Sequence, residues 1–305
     1  MFPLPQTGEG SCFDALARLM LLLNIIVAGL LTGAVYALMA LGLSVIFGVI
    51  RIVNFAHGEM MVLGMFTAYM LNRALGLDPI VAMPLVAGVM FLFGYALQRG
   101  LINRFVTRPE HMQFLLMLAI AIMLTSGMLM GFGPDARNVP LDYSFDSYDI
   151  GGLLLDKVRV FAAAGAVVGA ALLWGFFRFA RTGKAIRACA DNYIGAQVVG
   201  LDVARLYAIT FGLGAACVGA AGSLMLLLID VHPYLATDYT LLAFIIVIVG
   251  GLGSLGGALL GGVLVGVSEA LSGFFVDPSM KSMFSYGLLI LVLLLRPQGL
   301  LGKRQ

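Results

Sequence analysis

LMLLLNIIVAGLLTGAVYALMALGLSVIFGVI, residues 19–50, runs for 32 positions without a charged side chain. A helix of about 20 apolar residues spans the hydrocarbon core of a bilayer, so this stretch alone places the chain in a membrane. The composition agrees: 61% of the 305 residues are hydrophobic and 11% charged, against roughly 25% charged in soluble domains. Mean hydropathy is +1.02. Further uncharged segments cover 60–71, 80–97, 113–130, 160–177, 206–229, 241–268 and 282–295. Most are too long for the tilted strands of a barrel and lack strict alternation. The fold class is therefore all-α: a polytopic integral membrane bundle with about eight apolar segments, some of them broken or re-entrant helices.

Residues 1–18, MFPLPQTGEGSCFDALAR, read as a polar N-terminal lead. Glu9 and Asp14 stand where a signal peptide would be basic, and the following apolar run is far too long for its core. Residues 19–305 form one transmembrane domain. Cys12, Cys189 and Cys217 are odd in number, widely spaced and without a CxxC pair, which argues against a disulfide framework.

The loops assign the sides. Loop 98–112 carries Arg99, Arg104 and Arg108; loop 178–205 carries Arg178, Arg181, Lys184, Arg187 and Arg205; the tail adds Arg296, Lys303 and Arg304. An excess of basic residues marks the cytoplasmic face. Loop 131–159, with five aspartates against three basic residues, and loop 230–240, with Asp230 and Asp238, belong outside. An odd number of crossings must then join loop 230–240 to the tail, yet only two apolar segments lie between. Residues 241–276 must enter and return, or cross twice, leaving FVDPSMK (275–281) outside. The glycine-rich GGLGSLGGALLGG, residues 250–262, is the expected break, since glycine weakens a helix interior. A broken helix packed at the centre of the protein is predicted there, because non-helical backbone at membrane depth must be enclosed by protein or line a cavity.

RIVNFAHGEM, residues 51–60, follows the opening run and brings Arg51, Asn54, His57 and Glu59 together. Residues 19–50 exceed one straight span and 60–71 fall short of one, so NFAHGE is expected to interrupt a second helix. Paired interruptions point to a transport pathway at the midplane. Asn54, His57 and Glu59 near one break, with Gly251, Gly253 and Gly257 near the other, are the candidate pathway residues. Ionisable groups at membrane depth face a cavity or a partner. Whether Asn54 and His57 touch cargo or brace the bend is left open by the sequence. Small residues four apart, Gly29 with Gly33 and Gly253 with Gly257 and Gly261, suit close helix packing.

Several motifs mislead. GLGSLG at 251–256 matches a dinucleotide fingerprint, with Glu269 downstream, but no second strand follows. Gly183-Lys184 lacks the remaining parts of a phosphate loop, so no ATPase is encoded. His57 and Glu59 have the wrong spacing for zinc, and no metal site is expected. No nucleophile elbow occurs, and the chain is not expected to be an enzyme.

GLLTGAVYALMALGLSVIFGVIRIVNFAHGEMMVLGMFTAY (29–69), RTGKAIRACADNYIGAQVVGLDVARLYAITFGLGAACVGAAGSL (181–224) and FIIVIVGGLGSLGGALLGGVLVGVSEAL (244–271) together resemble the LivH-type permeases of branched-chain amino acid ABC importers. The resemblance implies a bacterial inner-membrane permease with cytoplasmic basic loops and C-terminus. It also implies a second permease subunit (identical or a LivM-like paralogue), two cytoplasmic ATPase subunits that bind ATP and Mg, and a periplasmic substrate-binding protein. This chain itself would bind no cofactor, and beyond those proteins only membrane lipid, not nucleic acid, is expected as a partner. Segment 181–205 would be the coupling segment, with Arg187, Asp191, Asn192, Ala196 and Gly200 at the ATPase contact. Relatives in the same superfamily carry urea, short amides or aromatic acids, so the cargo stays open; NFAHGE in place of NMAHGE favours amino acids. A stand-alone secondary transporter or channel is the rival class.

Overall fold

The computed structural model describes residues 9–141, 143–144, 146–276 and 280–302. Among them are eleven α-helices: α1 (Glu9–Ile50), α2 (His57–Leu75), α3 (Pro79–Gly100), α4 (Glu110–Phe132), α5 (Lys157–Phe179), α6 (Arg181–Asp191), α7 (Tyr193–Val198), α8 (Val203–Met225), α9 (Leu235–Gly250), α10 (Leu255–Phe275) and α11 (Lys281–Leu295). One hairpin, β1 (Ser147–Ile150) against β2 (Leu153–Asp156), precedes α5 and is antiparallel. Long apolar stretches in α1, α3, α4, α5, α8 and α10 are sufficient to cross a membrane; α9 and α11 are apolar but shorter.

Short polar side chains punctuate these helices. Asp78, Asp156, Asp202 and Ser254 each accept a hydrogen bond from a backbone N–H in the first turn of α3, α5, α8 and α10. Such caps satisfy donors that a helix start leaves unpaired. Gly76, in the left-handed region, closes α2.

The loops separate by charge at the two ends of the bundle. At the basic end, Asn103 donates to the Ala204 carbonyl, joining loop 98–112 to the start of α8. The tail reaches the same end, where the Leu300 and Leu301 amides donate to the Val249 and Gly250 carbonyls. At the acidic end, Arg137 and Val231 exchange backbone hydrogen bonds, joining loop 131–159 to loop 230–240. Helices α9, α10 and α11 supply the three legs that the parity of the loops demands. Lys303 and Arg304 in the tail and Asp277–Ser279 within FVDPSMK lie outside the described residues.

Helices α1 and α8 form the buried heart, with 78% and 83% of their spanning windows inside the protein against 22% for α3 and α4. The seam between α1 and α10 is made by small residues. A Cβ added to Gly33 would stand 2.9 Å from the Gly262 carbonyl and the Val263 Cα, so the backbones touch.

Two expectations change. Residues 19–50 are one uninterrupted helix, which reaches back through 9–18 of the polar lead. Its extra length is held at the acidic end, where the Leu154 N–H of the hairpin donates to Asn24 Oδ1 at 2.8 Å. The break in 250–262 is confined to 251–254 and makes a tight turn at the basic end, not a gap at the centre. Gly256, Gly257, Gly261 and Gly262 are helical, and the last three meet neighbouring backbone or Cβ at close range.

Candidate functional site

Helix α1 stops where Arg51 adopts φ 60 and its N–H donates to the Phe47 carbonyl at 3.0 Å. The left-handed region costs a residue with a Cβ about 1–2 kcal/mol, and this turn aims the chain back into the bundle. By His57 the backbone lies beside Met39, about three turns back from the end of α1. Segment 51–56 is non-helical: Arg51 and Val53 stay exposed, but from Asn54 on the chain is enclosed by the protein, and its polar groups need internal partners.

Asn54 and His57 supply them. Asn54 Oδ1 accepts the Ala56 N–H at 3.0 Å, and Nδ2 points at Met60 Sδ, 3.5 Å away. His57 Nε2 sits 3.0 Å from the Met39 carbonyl. A carbonyl only accepts, so Nε2 carries the proton and Nδ1 is the bare nitrogen. Both side chains are fully buried. One bonds the backbone of the bend itself and the other the backbone of α1.

The bend docks on the start of α9. The Gly58 N–H donates to Thr240 Oγ1 at 2.9 Å, and the Thr240 hydroxyl is 3.2 Å from Glu59 Oε2, to which it donates. The backbones come so close that a Cβ on Gly58 would fall 1.9 Å from the Ala236 carbonyl oxygen. Helix α9 therefore begins inside the bundle, at the depth of Gly58, after the chain has passed through the buried Val231 and Pro233. The structure pairs NFAHGE with the start of α9, not with GGLGSLGG. Gly251 and Gly253, at φ 107 and 76, shape the remote turn at the basic end, and Gly257 packs against Gly250 there. Gly253 lies against Gly48, near the end of α1. The signal for α9's interior start was TDYT, 237–240, polar residues leading an apolar run.

Glu59 faces a groove of about 340 Å³ between α2, α4 and α9. Its polar wall is Glu59, Thr125, Ser126, Thr237 and Thr240, and Phe55, Leu118 and Ile122 make the apolar wall. A carboxylate beside hydroxyls, opposite apolar side chains, suits a small ligand with an ammonium at one end and a hydrocarbon at the other.

The predicted coupling residues form a separate unit at the basic end. Asn192 ends α6 and caps α7, accepting the Gly195 N–H at 2.9 Å, and Gly200 leaves α7 at φ 84. Arg187 and Asp191 are exposed, whereas Ala196 is buried. The apolar side chains of Tyr193, Ile194, Val198 and Val199 stand in the open around this corner. Among the described residues no three His, Cys, Asp or Glu side chains are grouped to hold a metal. Cys189 and Cys217 are buried free thiols.

Six helices long and apolar enough to cross a membrane, packed around an interior helix break, define a polytopic membrane protein. The family model described as "Branched-chain amino acid transport system / permease component" matches residues 25–293, and the chain belongs to that family. It is 32% identical over 295 residues to the high-affinity branched-chain amino acid transport system permease protein LivH of Salmonella typhimurium, covering 90% of this chain and 94% of that protein. The BraD permease protein of Pseudomonas aeruginosa is 30% identical, over 91% of this chain and 95% of its own length. LivM of Salmonella typhimurium is 25% identical, over 88% of this chain and 68% of its own length.

Proposed function

We propose that the chain is one half of the membrane pore of an ATP-driven importer for branched-chain or related hydrophobic amino acids. The observation that carries this is the near full-length likeness to proteins named for that transport, LivH and BraD. The weaker likeness to LivM supports a related permease as the other half. Two ATPase subunits dock on the exposed corner of α6 and α7, where Arg187, Asp191, Asn192, Ala196 and Gly200 lie, and they hold the ATP and Mg. A periplasmic binding protein presents the ligand at the acidic end. The basic loops and the C-terminus face the cytoplasm of a bacterial inner membrane, a reading that the excess of Lys and Arg at that end supports.

Asn54 and His57 hold the break, and the Glu59 groove receives the amino acid on its way through. Glu59 takes the ammonium, the threonines orient it, and Phe55, Leu118 and Ile122 cover the hydrocarbon side chain. Closure of the ATPase pair on ATP moves the α6–α7 unit, which packs on α5 and α8. The pore shifts between outward and inward openings because ATP binds the closed pair better.

Uptake of labelled leucine into proteoliposomes containing the whole complex, binding protein outside and ATP inside, tests this reading. Uptake should need both ATP and the binding protein. Glu59→Gln should reduce it by about tenfold or more, the worth of one charge-assisted hydrogen bond, with complex recovery unchanged. Uptake by the isolated chain without ATP would assign it instead to the stand-alone transporters.

A further inference from the structure

A further ionisable side chain lies within a span-length helix, away from the Glu59 groove. Glu269 sits on α10 about two turns before its end, at the wall of a cavity of about 590 Å³ at the acidic end of the bundle. The cavity opens between α1, α5, α9, α10 and α11 and is separate from the Glu59 groove. Helix α9 is the partition: Tyr239 lines the Glu269 cavity, and the adjacent Thr240 lines the Glu59 groove.

The carboxylate is held in place from both sides. Tyr36 donates its hydroxyl to Glu269 Oε2 at 3.0 Å, and Ser285 of α11 donates to Oε1 at 3.0 Å. A carboxylate has about four acceptor positions, so two donors leave it with capacity to spare. The nearby rings of Tyr36 and Tyr239 meet edge to face, 6.5 Å between centroids, and aromatic faces attract cations. Lys281 lies across Gly273 at the rim: a Cβ on Gly273 would stand 2.9 Å from its Cε. Arg159, paired with Asp156 at 3.6 Å, also lines the cavity. Ile25, Met225, Leu228 and Phe274 complete the wall with hydrocarbon. The cavity thus offers an anion flanked by aromatic rings, cations towards the mouth, and apolar walls.

We propose that this cavity is a second amino-acid site on the transport route, in which the Glu269 carboxylate takes the α-ammonium of the incoming ligand. The assignment rests on the amino-acid reading above and adds a station ahead of the Glu59 groove. Tyr36 and Ser285 fix the carboxylate so that its free lone pairs point into the cavity. Lys281 and Arg159 draw the carboxylate of the ligand, and the apolar wall takes its side chain. A simple amine satisfies only the Glu269 end, and an acid lacking the amino group satisfies only the cationic rim. Passage onward requires α9 to move, since its Tyr239–Thr240 turn separates the two chambers.

The test uses the full complex in right-side-out membrane vesicles. Leu228→Cys places a thiol in the cavity wall, and Thr32→Cys is a second reporter if the first does not reach the membrane. A membrane-impermeant maleimide is applied with and without leucine, isoamylamine or 4-methylpentanoate, and labelling is read above that of the parent chain. Leucine should protect the reporter best, isoamylamine less, and 4-methylpentanoate least. Glu269→Gln should raise the leucine concentration needed for half protection by about tenfold or more, the loss of one charge-assisted hydrogen bond. Glu269→Asp, which keeps the charge, should lie between the two and serves if the Gln variant fails to assemble. Absence of leucine protection in the reporter complex with Glu269 intact would overturn the site, as would equal protection by leucine and 4-methylpentanoate, or protection unchanged in both Glu269 variants. Leucine uptake measured on the same complex separates the two readings. Normal uptake without protection removes this site alone, whereas no leucine uptake removes the transport reading on which it rests.

Discussion

At Asn54–Glu59 the backbone re-enters a helix inside the bundle, and side chains hold it there. At Gly251–Ser254 it leaves its helix at the bundle's end, and backbone does most of the holding. The first bend uses Asn54 on the Ala56 amide, His57 on the Met39 carbonyl and Thr240 on the Gly58 amide. The second has glycines in the left-handed region, the Ser254 cap, and the tail amides of Leu300 and Leu301 on the carbonyls of Val249 and Gly250. The difference follows from surroundings. A buried amide or carbonyl without a partner costs about 1–3 kcal/mol, so an interior bend must import polar side chains to fill each vacancy. A bend at the end of the bundle needs only conformational freedom and a short piece of neighbouring chain.

The severest way to test the interior bend is Gly58→Ala. The added Cβ falls 1.9 Å from the Ala236 carbonyl oxygen and 2.5 Å from Thr240 Oγ1. Neither backbone can retreat without parting α2 from α9, so the cost should be about 3 kcal/mol or more. The amount of monodisperse complex and its melting temperature in detergent should both drop sharply. Near-normal yield and melting would show that α2 and α9 are not packed backbone to backbone.

A paired substitution compares the two bends directly. Asn54→Ala strands the Ala56 amide in the interior and should cost about 2 kcal/mol. Ser254→Ala removes a helix cap from a less enclosed turn and should cost about 1 kcal/mol. Melting temperatures of the two variants, measured on the same complex, rank them. If Ser254→Ala is the more harmful, the claim that side chains matter more at the interior bend is lost.

Much of this was legible in the sequence. The uncharged runs gave the spans, loop charges gave two sides that the structure separates, and parity demanded an extra leg in 241–276. What misled was glycine density. GGLGSLGGALLGG looks like the more broken stretch, yet most of its glycines are helical and serve close contacts, such as Gly262 against Ala37. The depth of each bend depends on which helices pack around it, and that is a long-range property. Local composition carries only a trace of it, in the polar NFAHGE and TDYT. The Glu269 cavity was illegible for the same reason, since Tyr36, Glu269 and Ser285 are brought together from three separate helices.

The smallest expected effect asks whether glycine itself marks a break. Gly256 is the second residue of α10, has no positive φ, and has open space: the nearest atom to an added Cβ is Leu301 Cδ1 at 3.6 Å, an ordinary contact. Alanine is favoured over glycine in a helix interior by up to about 1 kcal/mol, and by less this close to the start. Gly256→Ala should therefore leave uptake unchanged and raise the melting temperature slightly. Its neighbour Gly257 is the control, because a Cβ there would fall 2.2 Å from the Gly250 carbonyl oxygen. The same substitution one residue later should destabilise. Opposite signs at adjacent glycines would mean that contact, not backbone freedom, is what this helix start demands. A loss at Gly256 as large as that at Gly257 would mean that the turn needs glycine flexibility throughout.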